Sequence, residues 1–206
     1  MTRLFRHWAY SLLAAMVGAG QAACMTPTNE DCAISASVAD EHAVIAAALL
    51  YSPGGGAALT EVPFVVIRST GPSYAESEDF RRTIDLSEDP PSPPTAVVDD
   101  MIRRSEEPIE LDPALLDVAP HPLHVVDESA VPIDADRLGE EWTRFESEYG
   151  TTSAIQLSRP GIGCHEAILA HVRWCGYLCA TAVWYIMEKN GDDVWATVAV
   201  IDAWIS

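Results

Sequence analysis

The stretch "CHEAILAHVRWCGYLC", residues 164–179, carries six side chains that ligate metals or move protons: Cys164, His165, Glu166, His171, Cys175 and Cys179. Three chemistries come into question: a zinc site, a redox thiol pair and an acid–base hydrolase. Zinc ligands all lie ~2.0–2.3 Å from one ion. If residues 165–174 form a strand, a rise of ~3.3 Å per residue puts Cys164 ~30 Å from Cys175 and His165 ~20 Å from His171. A straight strand cannot gather them. "HEAILAH" also fails the zinc-protease helix, whose second histidine comes four residues after the first; here it comes six after. No metal is expected.

Cys175 and Cys179 flank "GYL" between two apolar runs. Opposed residues at a hairpin mouth have Cα atoms ~4.5–5.5 Å apart, which suits a disulfide. Closing so short a loop contributes ~2 kcal/mol by chain entropy. The spacing is C-x3-C and not the C-x-x-C of thioredoxin-like sites, so a structural clip is expected over a redox pair. Cys164 then pairs with Cys32 if Cys24 is lipidated. If Cys24 is not lipidated, one cysteine is left over, or Cys24 pairs with Cys32 and leaves Cys164 free.

An acid–base pair would have to meet in the fold, with Glu166 or Asp202 beside His171. His121 and His124 sit in a proline-punctuated segment and read as loop residues; His42 reads as a surface group. Asp99–Asp100 and Glu140–Glu141 stand near helix starts, where the macrodipole favours acids without any catalytic role. The chain has no nucleophile elbow, no P-loop and no dinucleotide fingerprint, and "SPGGGAAL" lacks the lysine of a phosphate cradle. No cofactor is expected. The aromatic residues Trp174, Tyr177, Trp184, Tyr185, Trp195 and Trp204 crowd the C-terminal third. Packing explains most of them; Tyr177, Trp174 and His171 are the candidates for an exposed ligand surface.

These residues need elements to hold them. "SVADEHAVIAAALLY" repeats its apolar positions at helical spacing, with Ser37 or Asp40 as cap. "VPFVVIRST" is a β-branched run of central-strand character. A proline-rich loop occupies residues 86–95, and "TAVVDDMIRRSEE" makes a short helix with Thr95 as cap. Leu123 to Val126 reads as a strand. "DADRLGEEWTRFESEYG" is an amphipathic helix with Leu138, Trp142, Phe145 and Tyr149 on one face, stopped by Gly150. From residue 152 the pattern is a β-meander. Its last hairpin turns at Asn190–Gly191; a tight turn would set Met187 against Val194, Tyr185 against Ala196 and Val183 against Val198, give or take a residue or two. Both faces of these strands are apolar, so helices should cover both. The fold class is α+β, a C-terminal antiparallel meander packed with several helices, within one domain over residues 37–206.

The N-terminus has the layout of a bacterial signal peptide: Arg3 and Arg6, an apolar run from Trp8 to Ala19, then small residues. The run is too short to span a membrane, which takes ~20 residues. Residues 1–23 are the expected leader and 24–36 an exported tether. "QAAC" makes Cys24 a lipidation site, with Gln21 atypical for one; otherwise cleavage follows Ala22 or Ala23. The formal charge of −19 repels nucleic acid and anionic lipid. Membrane contact is therefore expected only through a lipid on Cys24.

Taken in order, "EHAVIAAALLY", "VVI", "VVDDMI", "EEWTRFESEYG", "SRPGI", "CGYLC", "YIMEKNG" and the terminal "WIS" resemble an uncharacterised family of exported bacterial proteins and lipoproteins. The resemblance spans roughly residues 40–206. This chain departs from the pattern at Ala180, where glycine is usual, and at Cys164, an additional cysteine. The resemblance implies export and the fold; it brings no catalytic residues. The expected function is an exported, disulfide-stabilised envelope protein, periplasmic, surface-anchored or secreted. It would bind a protein or glycan partner or have a structural role without catalysis, with an exported hydrolase as the alternative.

Overall fold

Ser37 opens the first helix by a capping box. Its hydroxyl accepts the Asp40 N–H at 3.3 Å, and the Asp40 carboxylate accepts the Ser37 N–H at 2.8 Å. Those Ser37 bonds, the backbone one foremost, hold the Asp40 carboxyl below its ordinary range. The structure, a computed structural model, describes residues 36–51, 64–73, 92–112, 114–115, 123–133, 139–176 and 179–205. The expected leader, most of the tether, "SPGGG", most of the proline-rich loop, His121, Leu138 and Tyr177 lie outside those residues. Helix α1 is Val38–Leu50, α2 is Thr95–Ser105 and α3 is Glu140–Tyr149. None of the described helices is long and apolar enough to cross a membrane.

Thr95 is not the cap of α2. Pro94 holds that position and makes no side-chain cap bond; its carbonyl takes the N–H groups of Val97 and Val98 at 2.9 and 3.3 Å. Proline's fixed φ, here −55°, suits the entry to a helix, and Thr95 becomes the first helical residue. At the far end of α3, Gly150 adopts φ 72° and returns its N–H to the Glu146 carbonyl at 2.8 Å, a left-handed stop that favours glycine.

The strands are β1 (Phe64–Ile67), β2 (Leu123–Val126), β3 (Ala154–Leu157), β4 (Gly161–Ile162), β5 (Glu166–Trp174), β6 (Ala180–Lys189) and β7 (Trp195–Ile205). They form one mixed seven-stranded sheet in the order β2-β1-β3-β5-β6-β7, with β4 folded back along β5. β1 runs parallel to both neighbours; β3, β5, β6 and β7 form the antiparallel meander. The class is α+β, as the patterning implies.

Alternation along the strands divides the sheet into two faces. Val66, Ile155, Leu157, Leu169, Tyr185 and Met187 turn to one side and pack with Val44, Ile45 and Ala48 of α1. The opposite side holds two cores. Over the meander, Val97, Val98 and Met101 of α2 pack with Ile168, Ala170, Trp184 and Ile186. Over the parallel half, Trp142 and Phe145 of α3 pack with Val65, Ile67, Val126 and Ala154. Helices thus cover both faces, which is why these strands tolerate near-continuous apolar runs.

The hairpin between β6 and β7 is longer than an Asn-Gly turn. Lys189 pairs with Trp195, Met187 with Thr197 and Val183 with Asp202. The tight-turn register for Met187, Tyr185 and Val183 is therefore corrected. The Asn190 side-chain oxygen accepts the N–H groups of Asp192 and Val194 at 2.9 and 3.1 Å, and Asp193 takes a left-handed φ of 64°. Asparagine capping its own loop outcompetes the two-residue turn. Irregularities between Ile186 and Met187 and between Ala182 and Val183 shift the register further.

Candidate functional site

The segment "SRPGI", residues 158–162, joins β3 to β4, and nearly every group in it is committed. Ser158 donates its N–H to the Ala170 carbonyl at 2.9 Å, and its hydroxyl accepts the Ala170 N–H at 2.8 Å, so a side chain completes the ladder where the strand ends. Arg159 grips Glu41 of α1 with two N–H groups, at 2.9 and 2.7 Å, and reaches the carbonyls of Arg104 and Glu107 at 3.3 and 3.1 Å. The bond to Glu41, before any other cause, raises the Arg159 pKa above the usual guanidinium value. Gly161 lies so close to α2 that an added Cβ would meet the Val97 carbonyl oxygen at 1.9 Å. Ile162 donates its N–H to Asp100 of α2 at 3.1 Å.

Arg104 completes a buried network. It donates to Glu41 at 2.6 Å and to Asp100 at 2.7 Å, and it reaches the Ala36 carbonyl at 3.4 Å. Arg103 adds a bond to Asp100 from the surface. Glu41 is 1 % exposed, Asp100 5 % and Arg104 6 %. Both carboxylates face guanidinium forks, and the network bolts α1, α2 and the β3–β4 link together. Asp99 is exposed, whereas Asp100 lies inside. A helix-dipole role does not account for Asp100. The sequence signal was available: Asp100 and Arg104 stand four apart on a helix, and an i,i+4 acid–base pair is a standard contact. What the spacing could not supply was Glu41 and Arg159, which come from 55 or more residues away in the chain.

His171 lies on the α1 face of β5. Its ring stacks on Tyr185 with centroids 5.2 Å apart, and its Nδ1 shares a 3.4 Å hydrogen bond with the Tyr185 hydroxyl. Tyr51 meets Tyr185 edge-on at 5.5 Å. Burial, with the Arg173 charge second, pushes the His171 pKa down to about 4, so the imidazole is neutral near pH 7. Burial also raises the Tyr185 hydroxyl well above its ordinary value. The two carboxylates expected beside His171 are elsewhere. Glu166 is five residues back along β5, on the opposite face and ~16 Å away at ~3.3 Å per residue. Asp202 shares the row His171–Val183–Asp202, two strands across and therefore ~10 Å distant.

The other expected residues disperse as well. Trp174 packs at the edge of the α3 core, on the side of the sheet away from His171. These two do not form a common surface, and Tyr177 is outside the described residues. Cys175 and Cys179 are joined, with Cα atoms 5.1 Å apart, and the Cys175 N–H meets the Cys179 carbonyl at 2.9 Å. Gly176 takes φ 101° at the tip, a conformation open to glycine. Cys164 is disulfide-bonded and not a free thiol; Cys24 and Cys32 lie outside the described residues. His165 is exposed, and His124 tilts against Tyr149 at 5.6 Å. Among the described residues no cluster of three or more His, Cys, Asp or Glu could hold a metal ion.

A surface cleft of about 370 Å³ lies between α3 and the segment 128–133, which begins with a 3-10 helix, Glu128–Ala130. Val131, Ile133 and Phe145 supply apolar lining; Glu128, Glu141, Arg144 and Glu148 supply charge. Residues at i, i+3, i+4 and i+7 of α3 share one helical face, which is why Glu141, Arg144, Phe145 and Glu148 all meet the cleft. Sequence reasoning placed Phe145 in the core and missed the cleft, because its other wall is remote in pattern and irregular in structure. No family model, no curated protein and no solved structure matches this chain.

Proposed function

We propose that the chain is an exported envelope protein, clipped by disulfide, that works as a non-catalytic binding or structural module. The observation that carries the reading is the bond between Cys175 and Cys179, because disulfides persist where a chain has left the reducing cytosol. The leader-like N-terminus and the resemblance in motif order point the same way. The deployment of the polar residues supports the second half of the reading. Glu41, Asp100, Arg104 and Arg159 act as bolts between elements, and His171 is a neutral group packed on a tyrosine. The hydrolase alternative gains nothing from the ~10 Å that separates His171 from Asp202. Lipidation of Cys24 and a Cys32–Cys164 bond belong to the same proposal.

The test is expression of the full chain in a bacterial host, followed by fractionation and mass spectrometry of the N-terminus. The expected result is an envelope fraction whose chain begins after residue 23, with a diacylglyceryl adduct if Cys24 is the anchor. Non-reducing peptide maps should link Cys175 to Cys179 and Cys32 to Cys164. An unprocessed chain, folded and reduced in the cytosol, overturns the proposal.

A further inference from the structure

The cleft beside α3 combines an apolar floor with unpaired charge. Arg144 follows Glu141 by three residues and precedes Glu148 by four, spacings at which helical ions ordinarily pair. Yet neither Arg144 nor any of the glutamates Glu128, Glu141 and Glu148 is in an ion pair among the described residues. Three carboxylates against one guanidinium leave the rim negative, and the whole chain, at −19, deepens that field. Below the rim, Val131 and Phe145 are taken up by the core under α3, and half-buried Ile133 is the apolar side chain left open beneath the charges. A volume of 370 Å³ falls at the low end of the ~300–1,000 Å³ of ligand sites. That size suits a side chain and its neighbours, not the face of a folded domain.

We infer that this cleft docks a basic segment of a protein partner, one that alternates lysine or arginine with apolar residues. An apolar side chain sits over Ile133, and the flanking cations reach Glu128 on one wall and Glu141 and Glu148 on the other. Alternation is required because the apolar floor lies between two charged walls. Anionic and nucleic-acid ligands are repelled by the same field. The inference rests on the reading of the chain as a binding module and adds to it the site and the chemistry of the partner.

The experiment measures fluorescence anisotropy of a labelled Lys-Leu-Lys-Leu-Lys-Leu peptide, and of its Glu-Leu counterpart, on the full chain with disulfides formed. The Lys-Leu peptide should bind at least about ten-fold tighter than the Glu-Leu one. The charge reversals Glu141→Lys with Glu148→Lys should weaken it about ten-fold or more. The pair Glu106→Lys with Asp192→Lys makes the same change of net charge at exposed positions away from the cleft, and should weaken it far less. Ser129→Trp fills the cleft without altering charge and should also weaken binding; circular dichroism checks that each variant is folded. Equal weakening by both charge pairs, or no effect of Ser129→Trp, overturns the cleft assignment while leaving a binding module in place. Preference for the Glu-Leu peptide overturns the cationic partner. Binding of neither peptide overturns the inference, whereas the reading of export and fold stands or falls on the processed N-terminus.

Discussion

His171 and Glu41 show how differently two buried titratable residues serve the same interior. His171 is neutral because burial disfavours its charged form, and with a folded pKa of about 4 against an ordinary 6.5 the unfolded chain binds the proton more readily. Its contribution is therefore fully present above pH 6.5 and is lost as pH falls from there toward 4. Arg173 is the charged group that acts on the ring; Tyr185 stacks on it, and Tyr51 meets Tyr185 edge-on. Chemical denaturation at two pH values tests this. Between about pH 7 and pH 5 the wild type should lose about 2 kcal/mol more stability than His171→Phe; equal slopes would show that His171 does not titrate as a buried base. Glu41 instead holds two guanidinium groups, Arg104 and Arg159, both largely withdrawn from water. Removing one partner of a buried pair strands the other charge, at a cost of about 3–5 kcal/mol. Glu41→Gln should lower stability by that order at pH 7, and Arg159→Lys, which keeps the charge and loses the fork, by less. A loss under about 1 kcal/mol for Glu41→Gln would place the network among weak surface pairs.

Elements were legible where one local rule decided them. Ser37 as a cap of α1, the Trp142–Phe145 side of α3 and the β-branched core of β1 follow from periodicity and caps and formed where the pattern put them; on α1 only the Val44–Ala48 side is buried, and the other apolar repeat, Ala43 and Leu50, is exposed. The β6–β7 hairpin was found but misregistered, because a side chain, Asn190, and a left-handed Asp193 set the loop length, and neither is visible in hydrophobic alternation. The parallel pairing of β1 with β2 and β3 was out of reach, since strand partners distant in sequence leave no mark in a single chain. The candidate site was less legible than the fold: His171, Glu166 and Asp202 suggested a pair only because their sheet positions were unknown. β7 is the long edge of the sheet; it carries exposed Val198, and exposed Val194 stands just before its first residue. Its two register shifts break the regular hydrogen-bonding line that another strand would need, a recognised protection of edges. Gly161 is the element-scale residue with the clearest demand. Gly161→Ala must push α2 off β4, because the Val97 carbonyl cannot share the space, and should cost about 1–3 kcal/mol in urea unfolding. Gly191→Ala meets nothing within 4 Å and serves as the control, expected to change stability far less. Equal effects would mean that α2 does not rest on the strand backbone.

At the scale of the whole molecule two kinds of electrostatics act in opposite senses, and salt separates them. The network of Glu41, Asp100, Arg104 and Arg159 is buried, so mobile ions reach it poorly and its attraction is little screened. The surplus acid is at the surface, where Glu106, Glu110, Glu128, Glu140, Glu188 and Asp192 are all exposed, and a chain at −19 repels itself when folded compactly. Screening lengths fall from ~30 Å at 0.01 M to ~10 Å at 0.1 M ionic strength, so added salt removes the long-range repulsion first. Thermal melting from 0.01 to 0.3 M sodium chloride should therefore raise Tm by about 2–4 °C, what ~1 kcal/mol amounts to in a domain of this size. Glu41→Gln should start from a lower Tm and climb by about the same amount, because the salt acts on the surface and not on the bolts. A Tm that falls with salt in the wild type, and falls less in Glu41→Gln, would reverse the assignment: screened attraction, not surface repulsion, would then dominate the electrostatics of the fold.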